Sequence, residues 1–170
     1  MSVDVEASGP IPGEFSLLSI GACLVESPET SFYAELKPLS ARAIPEAMEV
    51  SGLSLESLKK LGLEPRQAMR EFRKWIESVA VDRNPVFVGF NAAFDWQFIN
   101  WYFTKFDGDN PFGHAGLDIK SYYMGRTRAN WDETGYSRLS SIYKPAFEQT
   151  HNALDDAKAQ ADLFAKIMAD

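Results

Sequence analysis

The amino-terminal stretch Ser2-Val3-Asp4-Val5-Glu6 alternates polar and apolar side chains. That period suits a β-strand, whose successive side chains point to opposite faces. Val3 and Val5 then enter a core layer, while Asp4 and Glu6 share the other face. Two carboxylates ~4 Å apart at an effective dielectric of ~20 repel by about 4 kcal/mol. Water, a proton, a basic partner or a metal cation must offset that repulsion. An edge strand with hydrated acids would satisfy the pattern equally well.

The rest of the chain reads as alternating strands and helices. Residues 7–14 carry two Pro and two Gly and read as a loop. Residues 15–25 form a long apolar run, a buried strand with Gly21 as a possible bulge. Residues 31–36 suit a third strand, and the short links predict an antiparallel meander. Pro38 to Ser54 holds one short helical turn. Ser54 is a suitable N-cap for a helix ended by Gly62. Pro65 opens the next, whose Ala68, Phe72, Trp75, Ile76 and Val79 follow helical spacing. Val86-Phe87-Val88 is wholly apolar, as in a central strand buried on both faces. Asn91 is the expected N-cap of a helix running to about residue 106. Residues 107–116 read as a loop, 118–124 and 137–143 as short helices, and 125–135 as a mobile polar segment. The last helix starts near Ala153, with Leu154, Ala157, Ala161, Phe164, Ala165 and Met168 as its apolar stripe.

At 170 residues and 45% hydrophobic composition, the chain has the size and core of one domain, expected over 1–170. No run has the length of a membrane span, and no secretory leader is evident. The lone cysteine, Cys23, lies in an apolar run without a neighbouring base, which fits a reduced thiol in a cytoplasmic protein. A net charge of -7 disfavours non-specific binding to polyanions, unless the acids gather at one site and are neutralised there.

Three separated stretches set acids at the starts of elements. Asp4 and Glu6 are the first. In the second, Asp95 falls in the first turn of the helix after Asn91, where the helix dipole alone would favour it. In the third, His151-Asn152-Ala153-Leu154-Asp155-Asp156, Asn152 is the expected N-cap. Asp155 could return a bond to the cap, as in a capping box. Asp156 points about 100° further round the helix, so capping leaves it unexplained. His151 stands just before the helix, free to lean towards Asp156.

Taken together, the three stretches resemble the DEDDh 3′→5′ exonucleases, the DnaQ-like branch of the RNase H-like fold. Asp4-Val5-Glu6-Ala7-Ser8-Gly9 is similar to the first motif of that family. Gly89-Phe90-Asn91-Ala92-Ala93-Phe94-Asp95 is similar to the second, and His151-Asn152-Ala153-Leu154-Asp155-Asp156-Ala157 to the third. Ser19-Ile20-Gly21-Ala22 and Ser51-Gly52-Leu53 also look familial. The resemblance implies an α/β fold: a mixed five-stranded sheet, antiparallel in its first three strands and then parallel, with helices on both faces.

It also implies a reaction. Asp4, Glu6, Asp95 and Asp156 would hold two divalent cations, Mg²⁺ or Mn²⁺, as oxygen-only ligands suit. Asp4 would bridge the ions, Glu6 and Asp156 would complete the shell of the first ion, and Asp95 would act through water or the second ion. His151 would be the general base, a role an imidazole suits near neutrality. The substrate would be a single-stranded 3′ end of DNA or RNA, cleaved to nucleoside 5′-monophosphates.

The terminal nucleotide would rest on Ala7, Ser8 and Gly9, with Asn91 nearby. Phe15, Phe94, Trp96 and Trp131 are candidates to stack bases. Core packing competes with stacking for each, and is the preferred reading for Phe15 and Phe94. Lys120, Arg126, Arg128, Arg138 and Lys144 could form a phosphate track or a solvated face. The stretch 126–136 reads as a substrate-gripping insertion, and His114 has no assigned role. Some relatives dimerise, so a homodimer stays open. The alternatives are a non-catalytic nucleic-acid-binding module, an interaction domain with solvated acids, and a small-nucleotide phosphohydrolase.

Overall fold

A computed structural model describes residues 1–170. Five strands form one sheet in the order β3-β2-β1-β4-β5. They are β1 (Ser2–Ala7), β2 (Leu17–Leu24), β3 (Ser27–Glu35), β4 (Phe87–Gly89) and β5 (Gly116–Asp118). β1, β2 and β3 pair antiparallel, and β4 and β5 join parallel, as expected. The seven α-helices are α1 (Pro45–Ser51), α2 (Leu55–Leu61), α3 (Pro65–Ala80), α4 (Ala92–Phe106), α5 (Ile119–Thr127), α6 (Tyr136–Tyr143) and α7 (Ala153–Ala169). No helix is long and apolar enough to cross a membrane.

The alternation in β1 sorts its side chains as its period requires. Val3 and Val5 enter a core with Leu17 and Ile20 of the neighbouring strand, Phe72 and Ile76 of α3, and Phe98 and Tyr102 of α4. Phe72 is its aromatic centre, stacked between Phe32 at 4.9 Å and Phe103 at 5.6 Å. Cys23 packs with Ala157 and Ala161 of α7 on the opposite face, where Val88, Leu163, Phe164 and Ile167 form a further cluster. Alternate residues of one strand therefore serve two layers, and the acids of β1 look towards α7.

Several local expectations are corrected. Gly21 is not a bulge: it pairs in register with Asp4, and the irregularities of β2 fall beside Ala7 and at Leu24. β3 begins at Ser27, earlier than its apolar pattern shows. Residues 116–118 are the fifth strand, too short to show a period. The segment 125–135 is built rather than loose. α5 continues to Thr127, and a 3-10 helix, Trp131–Thr134, follows with an Asn130–Glu133 capping box and a buried Thr134.

Candidate active site

The site forms where β1, the start of α4 and the start of α7 meet. Asp4 and Glu6 leave one face of β1, two residues apart. α7 crosses that face because Gly21, Asp4's partner on β2, has no side chain. A β-carbon there would lie 2.1 Å from the carbonyl carbon of Ala153 and 2.3 Å from the Leu154 nitrogen. The first turn of α7 thus presses directly on the sheet beside Asp4. Asn152 caps it as expected, accepting from the Leu154 and Asp155 N–H groups.

Asp155 makes no capping box. Its Oδ2 accepts instead from the Thr150 hydroxyl at 2.8 Å. Asp156 turns inward and is buried. Oxygen atoms of Asp4, Glu6 and Asp156 all lie within 4.8 Å of one another.

Asp95 arrives from α4, buried with the core at its back. Its Oδ1 accepts from the Val5 N–H at 2.9 Å, a bond that pins the start of α4 to the strand between Asp4 and Glu6. Asn91 takes the expected N-cap position of α4. It is left-handed, at φ 60°, and its side chain makes no capping bond. Asp118, at the end of β5, does part of that work by accepting from the Ala92 N–H at 3.0 Å.

The electrostatics are those of an anion cluster in want of positive charge. Burial, then the charges of Asp95, Asp156 and Glu6, holds Asp4 well above the usual carboxylate range. Burial and the Asp156 charge push Glu6 up to about 7. Burial raises Asp95 to about 8, against the pull of the Val5 N–H. Asp156 is raised too, chiefly by burial, although the Thr150 N–H and the nearby His151 draw it down. No Lys or Arg forms an ion pair with these four acids. A donor set made only of carboxylates, converging and unpaired, fits a hard divalent cation.

His151 is exposed and left-handed, at φ 60°. Its loop is anchored at the preceding residue, where the Thr150 N–H donates to Asp156 Oδ1 at 2.8 Å. The residue before His151 is thus tied to an acid of the cluster.

The remaining candidates separate. Ser8 is fully buried and internally engaged, its hydroxyl accepting from Ser16 N–H and donating to the Arg42 carbonyl. Gly9 lies on the Phe15 ring, where a β-carbon would come within 2.2 Å. Phe15 is buried, with the Arg42 guanidinium 4.9 Å above its ring. Phe94, expected in the core, is 39% exposed, on the outer side of a first turn whose Ala92 and Asp95 are buried. Trp96 packs edge-on against Phe87, which removes it from the stacking candidates. Trp131 is exposed, with the Lys120 ammonium 4.0 Å over its ring. Arg138 is paired with Glu133, so the basic stretch is not a row of free cations. Sequence reasoning missed Gly21, Thr150, Arg42 and Gln160. Of these Gly21 left a trace within the familial Ser19-Ile20-Gly21-Ala22, though not of its contact with α7, and Gln160 left one as a polar side chain one turn beyond Asp156.

The family model RNase_T, described as Exonuclease, matches residues 1–164. The chain belongs to the DEDDh exonuclease family. It is accordingly an enzyme, a 3′→5′ exonuclease of the DnaQ-like kind. It is 55% identical to the 3′-5′ DNA exonuclease Cap18 of Escherichia coli over 168 residues, covering 98% of this chain and 90% of that one.

Among solved structures, the nuclease domain of 3′hExo, a DEDDh family member bound to rAMP, is similar in fold. Its TM-score is 0.78 at 14% identity, over 98% of this chain and 89% of that chain. A 3′-exonuclease in 3′-end specific recognition of a histone mRNA stem-loop matches at a TM-score of 0.78 and 13% identity, over 98% of this chain. The DEDDh chain here spans 62% of the length of that protein. Members of the family need divalent metal ions, and the Asp4–Glu6–Asp156 cluster is a possible site for them.

Proposed function

We propose that this exonuclease removes nucleotides one at a time from single-stranded 3′ ends of DNA, releasing nucleoside 5′-monophosphates with the aid of two Mg²⁺ or Mn²⁺ ions. The observation that carries the reading is the convergence of Asp4, Glu6 and Asp156 oxygens within 4.8 Å, with Asp95 fixed behind them on the Val5 N–H. The 55% identity to a DNA exonuclease supports DNA over RNA as the substrate.

Asp4 would be shared between the ions, Glu6 and Asp156 would complete the first site, and Asp95 would act through water or the second ion. Bound there, the ions would supply charge to the scissile phosphate and a more acidic water. Four carboxylates and two divalent ions carry no formal net charge, which removes the repulsion within the cluster. His151, at the rim, would take the proton from the attacking water. Its exposure suits that task, since the proton must then reach solvent. The Ala7-Ser8-Gly9 segment would support the terminal nucleotide at Gly9, with Phe15 bracing Gly9 from beneath and the Ser8 N–H and carbonyl held by Ser16 and Ile44. Phe94, Asn91 and the more distant Trp131 would contact the strand. The free, buried Cys23 supports a reducing, cytoplasmic location.

The test uses 3′- and 5′-labelled single-stranded DNA and RNA with Mg²⁺ or Mn²⁺, alongside EDTA and Asp4→Ala controls. The expected result is stepwise, metal-dependent shortening from the 3′ end, faster on DNA, with 5′-monophosphates as products. Binding without shortening would identify a non-catalytic module. Hydrolysis of free nucleotides alone would identify a small-nucleotide phosphohydrolase.

A further inference from the structure

Gln160 is a fully polar side chain, 1% exposed, on the buried face of α7 one turn beyond Asp156. Buried glutamine is uncommon and calls for complete hydrogen bonding. Its Oε1 accepts from the Phe90 N–H at 2.8 Å. A backbone N–H can only donate, so that bond fixes which end of the amide is oxygen. The amide nitrogen is thereby turned to the other side, where it donates to Asp4 Oδ1. It is the one side chain that donates to Asp4, and the one group drawing that carboxyl towards its charged form.

The three segments that build the acid cluster meet on this single amide. Gln160 stands on the helix of Asp156 and bonds β1 at Asp4. It also bonds Phe90, which directly precedes the α4 start carrying Asp95. We propose that Gln160 is a positioning residue for metal binding, holding one oxygen of Asp4 so that the other faces the ions in a fixed orientation. The inference rests on the metal-dependent reading above. Metal-ligating carboxylates are commonly oriented by such outer hydrogen bonds. A neutral donor suits the place, because it orients the carboxylate without cancelling the negative charge that attracts the cations. A lysine at the same position would compete with them.

The test is Mn²⁺ binding, followed by electron paramagnetic resonance of the free ion, on the wild type and on Gln160→Met. Methionine keeps the volume and loses both polar contacts. The expected result is a loss of affinity of about 10–100-fold. The Mg²⁺ concentration for half-maximal activity should rise in parallel, while KM for the oligonucleotide stays unchanged. A variant that melts at lower temperature in EDTA yet binds Mn²⁺ as the wild type does would reduce Gln160 to a packing role and overturn the proposal.

Should Gln160→Met not fold, the wild type decides. The Gln160 side-chain amide protons should shift in the nuclear magnetic resonance spectrum as Mg²⁺ is added, and their remaining unmoved at saturation would overturn it. Failure of the wild type to bind Mn²⁺ at all would instead sink the metal reading itself, and this inference with it.

Discussion

Gly21 and Ala153 touch backbone to backbone, so closely that a β-carbon on Gly21 would lie 2.1 Å from the Ala153 carbonyl. This contact sets the height of α7 above the sheet, and with it the reach of Asp156 to Asp4. The obstructing atoms are main chain and cannot swing aside. Gly21→Ala should therefore lift the first turn of α7, costing about 1–3 kcal/mol of stability as overpacking. A misplacement near 1 Å at the catalytic acids should lower kcat about 100-fold. Chemical denaturation and single-turnover kinetics measure the two effects. A Gly21→Ala protein with wild-type kcat would show that α7 is not set by this contact.

Asp95 serves two ends that two substitutions can separate. Asp95→Asn retains an oxygen for the Val5 N–H but loses the charge. It should fold normally and lose activity by two orders of magnitude or more. Asp95→Ala also leaves a buried N–H without a partner, so it should lose a further 1–3 kcal/mol, roughly, of folding stability. Thermal melts of the two variants side by side distinguish the roles. Equal melting temperatures would mean that the Val5–Asp95 bond contributes nothing.

The raised carboxyls give stability a direction in pH. Glu6 lies at about 7 and Asp95 at about 8 in the folded protein, both above their unfolded values. Between roughly pH 4 and 8 the folded state therefore binds more protons than the unfolded one, and stability falls as pH rises. In EDTA the melting temperature should drop across that range. Added Mn²⁺ should restore most of it at pH 8 and little at pH 5, since binding displaces those protons. A metal-free protein that gains stability from pH 5 to 8 would contradict the electrostatic account of the cluster.

His151 adopts a left-handed backbone at φ 60°, a conformation asparagine tolerates well. His151→Asn should leave the loop and the Thr150–Asp156 bond in place. It should lower kcat by about 100- to 10,000-fold, the usual worth of a general base, with Mn²⁺ affinity unchanged. A normal rate in this variant would remove the histidine from the reaction.

Much of this site is legible in short-range pattern. Asp4 and Glu6 reveal their shared face through the alternation of β1, and Asp156 shows itself as the acid that capping does not need. Other features depend on what lies across the sheet. Gly21 reads as a bulge because its reason is the backbone of a residue far along the chain. Asn91 looks like a cap, yet its left-handed turn hands the Ala92 N–H to Asp118, an acid on another strand. β5, at three residues, is too short to carry a period. The Asn130–Glu133 box was present in the sequence as a cap three residues before its glutamate, but the polar surroundings masked it. Gln160 gave only a polar residue in an apolar stripe, and its meaning lies in two partners that no local spacing reveals.

The most direct measurement is the anomalous diffraction of a crystal soaked in Mn²⁺. The account predicts a peak bonded to Asp4, Glu6 and Asp156 at about 2.0–2.4 Å, with a second beside Asp4 on the Asp95 side when a nucleotide is present. Manganese found elsewhere, with these four carboxylates bare in a catalytically active crystal, would contradict it.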